Sequence, residues 1–420
     1  MNMRVQPGRL CGTLAAIPSK SVAHRLLIAA ALCDAPTRIA CAGTSRDIEA
    51  TVRCLTALCA DIGQDEAGFD VRPLGVIQGG QLFCGESGST WRFLLPVACA
   101  LGANSTFHLE GRLPQRPMDA LYQALEGQGI RMVGKDTPSV QALGLLRGGV
   151  FMLPGDVSSQ FISGLLLAAP LTGADCTIVV EGPLASRPYV DITLQALQLF
   201  GVQAHWQGNS LLVPGGQRYV SPGPLSVEGD WSNAALLLCG AAAGRGDLTL
   251  TGLPAGSAQG DRVIVDMLRR FGARVQQGAD SVHVQGGPLH AATVDINDCP
   301  DLAPAIALLA AAAEGRSQLS GISRLRIKES DRVRSILHTL NTLGVSAHAE
   351  DDSLFITGGP VTGGICPGWD DHRIVMLAAL LGGQAAGDIT ILGAQAVHKS
   401  YPRFFEDMAG LGIVVQPAEG

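Results

Sequence analysis

Lysine is scarce in this sequence. Only Lys20, Lys135, Lys328 and Lys399 are found among its 30 Lys and Arg residues, so the ordinary surface cation here is Arg and each Lys asks for a reason. The eleven cysteines are scattered, with no Cys-x-x-Cys pair and an odd total. That excludes a complete disulfide framework or a spaced zinc site and points to buried thiols in a reducing compartment. The first residues carry no apolar signal-peptide core, and the longest apolar runs, such as 302–313, are too short to span a bilayer. Cytoplasm is therefore the expected compartment, with no membrane partner. Charged residues make up only 16% and the net charge is −7, which gives no reason to expect nucleic acid; any basic site has to be local. A dinucleotide fingerprint, a Walker-type phosphate loop and a His-Glu-x-x-His motif are all missing. No metal and no cofactor are expected, so chemistry falls to acid–base groups and fixed positive charge.

What is present is a repeat. One pattern returns six times at a spacing of roughly 70 residues, a period to be read before any single motif. Each copy opens on a small or polar cluster, runs into an Ala/Leu-rich helix and stops at Gly. A β-branched strand, a second helix and a further strand follow. The openings are Pro18-Ser-Lys-Ser21, Cys84-Gly-Glu-Ser-Gly-Ser-Thr90, Pro154-Gly-Asp-Val-Ser-Ser-Gln160, Glu228-Gly-Asp-Trp-Ser-Asn233, Asn297-Asp-Cys-Pro-Asp301 and Gly368-Trp-Asp-Asp-His-Arg373. Alternating strands and helices predict an α/β fold. A length of 420 residues suits two domains of three units each, with the break at Pro222-Gly-Pro224 and the second domain starting near Glu228. The strand-like piece Arg9–Ile17 precedes the first full unit, and periodicity alone does not place it.

The openings carry the chemistry. Ser19 or Ser21 suits a helix N-cap. Lys20 and Arg25 flank the first turn, where the helix dipole makes a cation cost about 0.3–1 kcal/mol unless an anion sits there. Gly88 lets another group approach the backbone, with Arg92 in the same turn and Arg116 held extended before a proline. Ser158, Ser159 and Gln160 offer neutral donors, or simply an N-cap cluster. Arg324-Leu-Arg-Ile-Lys-Glu-Ser-Asp-Arg332 is the densest charged stretch. It reads either as a solvated, ion-paired helix start or as an anion site, with Lys328 and Arg332 at the wrong helix end for cations that lack an anionic partner. Glu329 and Asp301, beside those cations, are candidates to divide acid and base work. His372, Arg373 and Lys399 complete the set. Equivalent helices pointing the same way would gather their N-termini on one face of each domain, and two opposed faces would make a cleft for a multiply charged anion.

Taken together in order, Ser19-Lys-Ser-Val-Ala-His-Arg25, Glu86-Ser-Gly-Ser-Thr-Trp-Arg92, Gln115-Arg-Pro117, Ser158-Ser-Gln160, Ser186-Arg-Pro-Tyr189, Arg326-Ile-Lys-Glu-Ser-Asp-Arg332, Asp371-His-Arg373 and Lys399-Ser-Tyr-Pro402 closely resemble the 5-enolpyruvylshikimate-3-phosphate synthase family over the whole chain. The resemblance implies an inside-out α/β barrel architecture: two domains of three βαβαββ units, residues 20–227 forming one and residues 1–19 with 228–420 the other, with the active site in the interdomain cleft. It implies transfer of the enolpyruvyl group of phosphoenolpyruvate to the 5-hydroxyl of shikimate 3-phosphate, with release of phosphate through a tetrahedral adduct, by a monomer needing no cofactor. Carried over by motif, Lys20, Ser21, Arg25, Ser158, Ser159, Gln160, Ser186, Tyr189, Asp301 and Lys328 would meet shikimate 3-phosphate. Lys20, Gly88, Arg116, Gln160, Arg332, Arg373 and Lys399 would meet phosphoenolpyruvate. Asp301 matches the candidate base for the 5-hydroxyl. Lys328 and Glu329 match the pair that manages the proton on the enolpyruvyl carbon, with Lys20 also catalytic.

Three positions depart from the pattern of enteric members. Glu86 stands where Asn is common, Phe93 follows Arg92 where Pro is common, and Arg324 occupies a shikimate-contacting Asn position, which leaves its role open between substrate contact and pointing away. Bare Gly88 makes glyphosate an expected competitor of phosphoenolpyruvate. Two rival families share the repeat. The UDP-N-acetylglucosamine enolpyruvyl transferases carry a reactive Cys before their Arg-Pro pair, and 107–115 has none here. RNA 3′-phosphate cyclases would need ATP and a nucleophilic His, and the acidic net charge opposes them.

Overall fold

A helix that is apolar on every side is stable only when it is buried all round. Six helices of this chain meet that description in the computed structural model, which describes residues 1–418. They are α1 (Lys20–Leu32), α2 (Gly88–Ala100), α3 (Ser159–Ala168), α4 (Trp231–Ala243), α5 (Ala303–Ala312) and α6 (His372–Leu381). Every residue of α6 is buried, as is every residue of α5 from Ala303 to Ala311. Each is followed by a strand and then by a half-buried outer helix, such as Arg46–Ala57, Arg187–Leu199 or Arg332–Thr342. In the last of these Val333, Ile336 and Leu340 face inward, three and four residues apart.

The strands form six four-stranded sheets among the described residues, all with one topology. In each sheet two strands lie parallel, joined directly through the inner helix in the α2, α3, α5 and α6 units, and two antiparallel strands complete the sheet; Gly149–Pro154, Cys176–Glu181, Ser210–Val213 and His205–Gln207 are one example. A parallel neighbour needs a helical crossover, whereas antiparallel neighbours need only a turn. The repeating unit is therefore βαβαββ, with helices inside and sheets outside, and no sheet closes into a barrel.

Three strands come from far away in sequence. Cys11–Ala15 pairs parallel with Asp247–Thr251, which gives the α4 unit its first strand. Met3–Val5 pairs antiparallel with both Ile389–Leu392 and Val415–Pro417, closing the sheet of the α6 unit. Leu225–Ser226 correspondingly pairs with Thr37–Ala40 of the α1 unit. The chain separates into two compact parts, Pro18–Val227 and Met1–Ile17 with the chain from Glu228 onward. Each has an apolar core of its own, one around α1, α2 and α3 and the other around α4, α5 and α6. All eleven cysteines are free thiols. No helix among the described residues is long and apolar enough to cross a membrane.

Candidate active site

In the part built on α1, α2 and α3, the three inner helices bring their first turns together. Ser19 caps α1 by accepting from Val22 N. The Lys20 ammonium donates to Asp47 Oδ2 at 2.8 Å, and the Asp47 carbonyl accepts from Thr90 Oγ1 in the first turn of α2. Arg25 lies one turn further in and is only 2% exposed. Its guanidinium donates to Thr193 Oγ1 at 2.7 Å, to the Ser21 carbonyl at 2.6 Å, and to Ser163 Oγ and the Tyr189 carbonyl at 3.2 and 2.9 Å. All of these acceptors are neutral, and burial pushes the Arg25 pKa down to about 9. A buried cation surrounded by dipoles rather than by a counter-charge is an electropositive centre. Phe93 lies beneath it, its ring centroid 4.7 Å from the guanidinium carbon, so this departure from the family pattern packs against Arg25. Ser186 opens the helix Arg187–Leu199 in left-handed backbone, φ 58°, and Tyr189 follows in its first turn.

A second cluster in the same part surrounds Gly88. A Cβ placed there would come 2.9 Å from Arg116 Nη1 and 3.4 Å from Arg92 Nη1, so only glycine leaves both guanidinium groups their place. Ser158 caps α3 through Gln160 N at 3.3 Å, with Ser159 the first helical residue. The Gln160 amide bridges Arg92 and Ser89. Glu86 is exposed, and its carboxyl carbon lies 2.8 Å from where a Cβ on Gly111 would be.

The part built on α4, α5 and α6 carries the denser charge. Asp301 lies in a 3-10 turn before α5 and is 22% exposed. It meets Arg332 Nη1 at 2.7 Å, Arg373 Nη2 at 3.4 Å and Lys328 Nζ at 3.5 Å. Burial alone would raise its pKa, but Lys328, Arg373 and Arg332 outweigh that and hold it well below the usual carboxylate range. Arg332 also reaches Glu329 at 2.8 Å and Asp371 at 2.9 Å. Asp371 is fully buried, caps α6 through Arg373 N and accepts from Ser330 Oγ. Arg373 Nη1 donates to the Ser232 carbonyl in the first turn of α4, and the Ser232 hydroxyl donates to buried Asp261. Burial, and next the charge of Asp301, push Asp261 up to about 6. Lys399 ends the turn Ala394–Lys399, which packs on α6; it is buried, and the following Ser400 bonds Asn233 in α4.

Two expectations need correction. Lys20 and Arg332 do not stand at their helix starts without anionic partners, and Lys328 ends the 3-10 turn Ser323–Ile327 instead of opening a helix: Asp47, Asp301, Glu329 and Asp371 supply the counter-charges from within the fold. Of the two readings of the stretch ending in Arg332, the solvated helix start fails at Arg332 itself, whose side chain is 1% exposed, while Arg326 in the same stretch is 49% exposed. The physical reason is common to both. A cation at this depth costs several kcal/mol without counter-charge, so the fold provides carboxylates from residues 27, 31 and 39 positions away. Arg324, whose role was open, donates to the carbonyl of Asn297. Sequence reasoning did not single out Asp47, Asp261 or Asp371 as partners. Only Asp371 left a signal, as an N-cap residue type directly before an apolar helix.

Residues 5–408 match the family described as EPSP synthase (3-phosphoshikimate 1-carboxyvinyltransferase). A 3-phosphoshikimate 1-carboxyvinyltransferase of Clostridium kluyveri is 37% identical over 415 residues, 97% of this chain and 96% of that one. Its counterpart in Halobacterium salinarum is 37% identical over 428 residues, covering 98% and 99%. The solved structure of an EPSP synthase from Acinetobacter baumannii matches with a TM-score of 0.82 at 26% identity, over 99% of this chain and 100% of that one. The enolpyruvyl transferase NikO of Streptomyces tendae, 19% identical with a TM-score of 0.78, shares the fold across 99% of this chain and 98% of its own.

Proposed function

This chain belongs to the EPSP synthase family and transfers the enolpyruvyl group of phosphoenolpyruvate to shikimate 3-phosphate in the shikimate pathway of aromatic biosynthesis; from that premise we propose how its residues divide the work. Lys20, Ser21, Arg25, Ser158, Ser159, Gln160, Ser186 and Tyr189 hold shikimate 3-phosphate. Arg25 supports this reading most clearly, because its charge is buried among neutral acceptors and a phosphate would supply the missing counter-ion. Lys20, Arg116, Gln160, Arg332, Arg373 and Lys399 hold phosphoenolpyruvate, with Gly88 leaving room for it. Asp301 and Lys328 meet the shikimate ring as well as taking part in the chemistry.

The reaction is an addition followed by an elimination. The 5-hydroxyl oxygen of shikimate 3-phosphate bonds to C2 of phosphoenolpyruvate and gives its proton to Asp301, while C3 takes up a proton from the Lys328–Glu329 pair. C3 of the resulting adduct then returns a proton, the C2–O bond to phosphate breaks, and inorganic phosphate leaves. The observation that carries this reading is the setting of Asp301, accessible at 22% yet flanked by three cations within 3.5 Å. It is held ionised, the state in which it can accept a proton; three cations make it a weak base at rest, so a proton taken there is passed on and not kept. The same cations stabilise negative charge that develops on the leaving phosphate. Eleven free thiols support a reducing, cytoplasmic setting; a monomer is the form we assign from the family.

Turnover in deuterium oxide tests the sequence of steps. An adduct with a methyl carbon at C3 places deuterium in the product methylene and in recovered phosphoenolpyruvate. Complete absence of deuterium from both would refute addition before elimination.

A further inference from the structure

Arg92 is buried at the start of the second turn of α2, at 4% exposure, yet two separate segments share its guanidinium. Nη1 donates to Gln160 Oε1 at 2.7 Å, on α3. Nη2 donates to the carbonyl of Pro117 at 3.3 Å, directly after Arg116. Nε points to the Met118 sulfur at 3.5 Å, and the guanidinium carbon lies 5.5 Å from the centroid of the Phe161 ring. The two inner helices approach closely enough for this because α3 carries Gly164, where any Cβ would run into the Arg92 carbonyl.

A glutamine amide has two ends of nearly the same shape and opposite chemistry. Arginine only donates, so the end it takes is the oxygen. The Gln160 NH2 group is thereby turned the other way, where it donates to Ser89 Oγ at 3.0 Å beside Gly88 and Arg116. An anion's oxygens need donors, and an amide flipped the other way would face them with a lone pair. We propose that Arg92 is a positioning residue for the anionic substrate: it fixes the Gln160 amide with its NH2 outward and, through the Pro117 carbonyl, holds Arg116 beside Gly88. This rests on Gln160 and Arg116 binding phosphoenolpyruvate, as assigned above.

Steady-state kinetics on the full-length enzyme test it, with Arg92→Met, Arg92→Lys, Gln160→Ala and the double variant Arg92→Met/Gln160→Ala. Arg92→Met is expected to raise KM for phosphoenolpyruvate about tenfold or more, the scale of a lost charge-assisted hydrogen bond. Arg92→Lys, which can reach one acceptor but not three, falls between it and the parent. The double variant costs less than the product of the two single changes, because both remove the same oriented donor and only the hold on Arg116 is lost in addition. Multiplying effects would overturn the proposal, as would an unchanged KM in Arg92→Met accompanied only by a lower melting temperature. Should Arg92→Met fail to fold, Arg92→Lys runs through the same cycle with Gln160→Ala. The underlying assignment fails separately: Gln160→Ala with an unchanged KM would refute Gln160 itself as a substrate ligand.

Discussion

Replacing Asp371 by Asn removes a negative charge from a place that no solvent reaches. Its carboxylate is 0% exposed and faces Arg332, itself 1% exposed, at 2.9 Å; it also accepts from Ser330 and caps α6. Breaking a buried pair by removing one partner typically costs about 3–5 kcal/mol. Here Arg332 keeps Asp301 at 2.7 Å and Glu329 at 2.8 Å, so the lower end applies. Asn retains an oxygen for the cap, which leaves about 2–3 kcal/mol for Asp371→Asn; Asp371→Ala adds roughly 1 kcal/mol for the lost cap. With a urea m-value of about 2–3 kcal/mol/M, the midpoint of that core falls by about 1 M for Asn. The core around α1 to α3 shares none of these residues and serves as the internal control. The sign with pH is fixed as well. Burial would raise the Asp371 pKa, but Arg332 overrides it and the net shift is downward. A depressed carboxylate contributes its stability fully above about pH 4, the unfolded value, and loses it as pH falls toward the folded one. The gap between parent and Asp371→Asn therefore closes in acid. Urea curves that coincide at pH 7 would refute the idea that this carboxylate holds Arg332.

Three further outcomes are expected. Lys20→Ala and Asp301→Ala each lower kcat by about 100-fold or more, the first through lost charge stabilisation and the second through lost proton transfer; parent-like turnover in folded protein would contradict either role. Gly88→Ala places a Cβ 2.9 Å from Arg116 Nη1, so that side chain has to shift; weaker glyphosate inhibition and a raised KM for phosphoenolpyruvate follow, and an unchanged inhibition constant would sink the glyphosate reading. Asp261 binds its proton more tightly when folded, since burial and Asp301 push it up to about 6. A raised pKa gives stability that is present below about pH 4 and lost as pH rises through about 6, so Asp261→Asn gains on the parent by up to about 3 kcal/mol between those limits. A difference independent of pH, read from urea unfolding at pH 4.5 and 7.5, would contradict it.

The repeat was legible because the inner helices are largely apolar and five of the six, all but α5, open on a capping Ser or Asp, a pattern that survives without any tertiary information. Periodicity did not give the destination of Cys11–Ala15, which only the family resemblance assigned, because its pairing with Asp247–Thr251 spans most of the chain and local periodicity says nothing about partners. The same limit applies to the site. Residue types at the helix starts declare themselves as caps and cations, whereas the counter-charges Asp47 and Asp371 reach Lys20 and Arg332 only through packing. Arg25 was readable in part. A single charge between Ala23 and Leu26, in a helix apolar all round, has to be buried, yet its neutral acceptors Ser163 and Thr193 lie 138 and 168 residues on.

Phosphate release measured against both substrates tests the function most directly. With phosphoenolpyruvate alone, or shikimate 3-phosphate alone, no phosphate is released; together they release it mole for mole with enolpyruvyl product. Release from phosphoenolpyruvate that ignores shikimate 3-phosphate, or that answers to UDP-N-acetylglucosamine in its place, would contradict the reaction assigned to these residues.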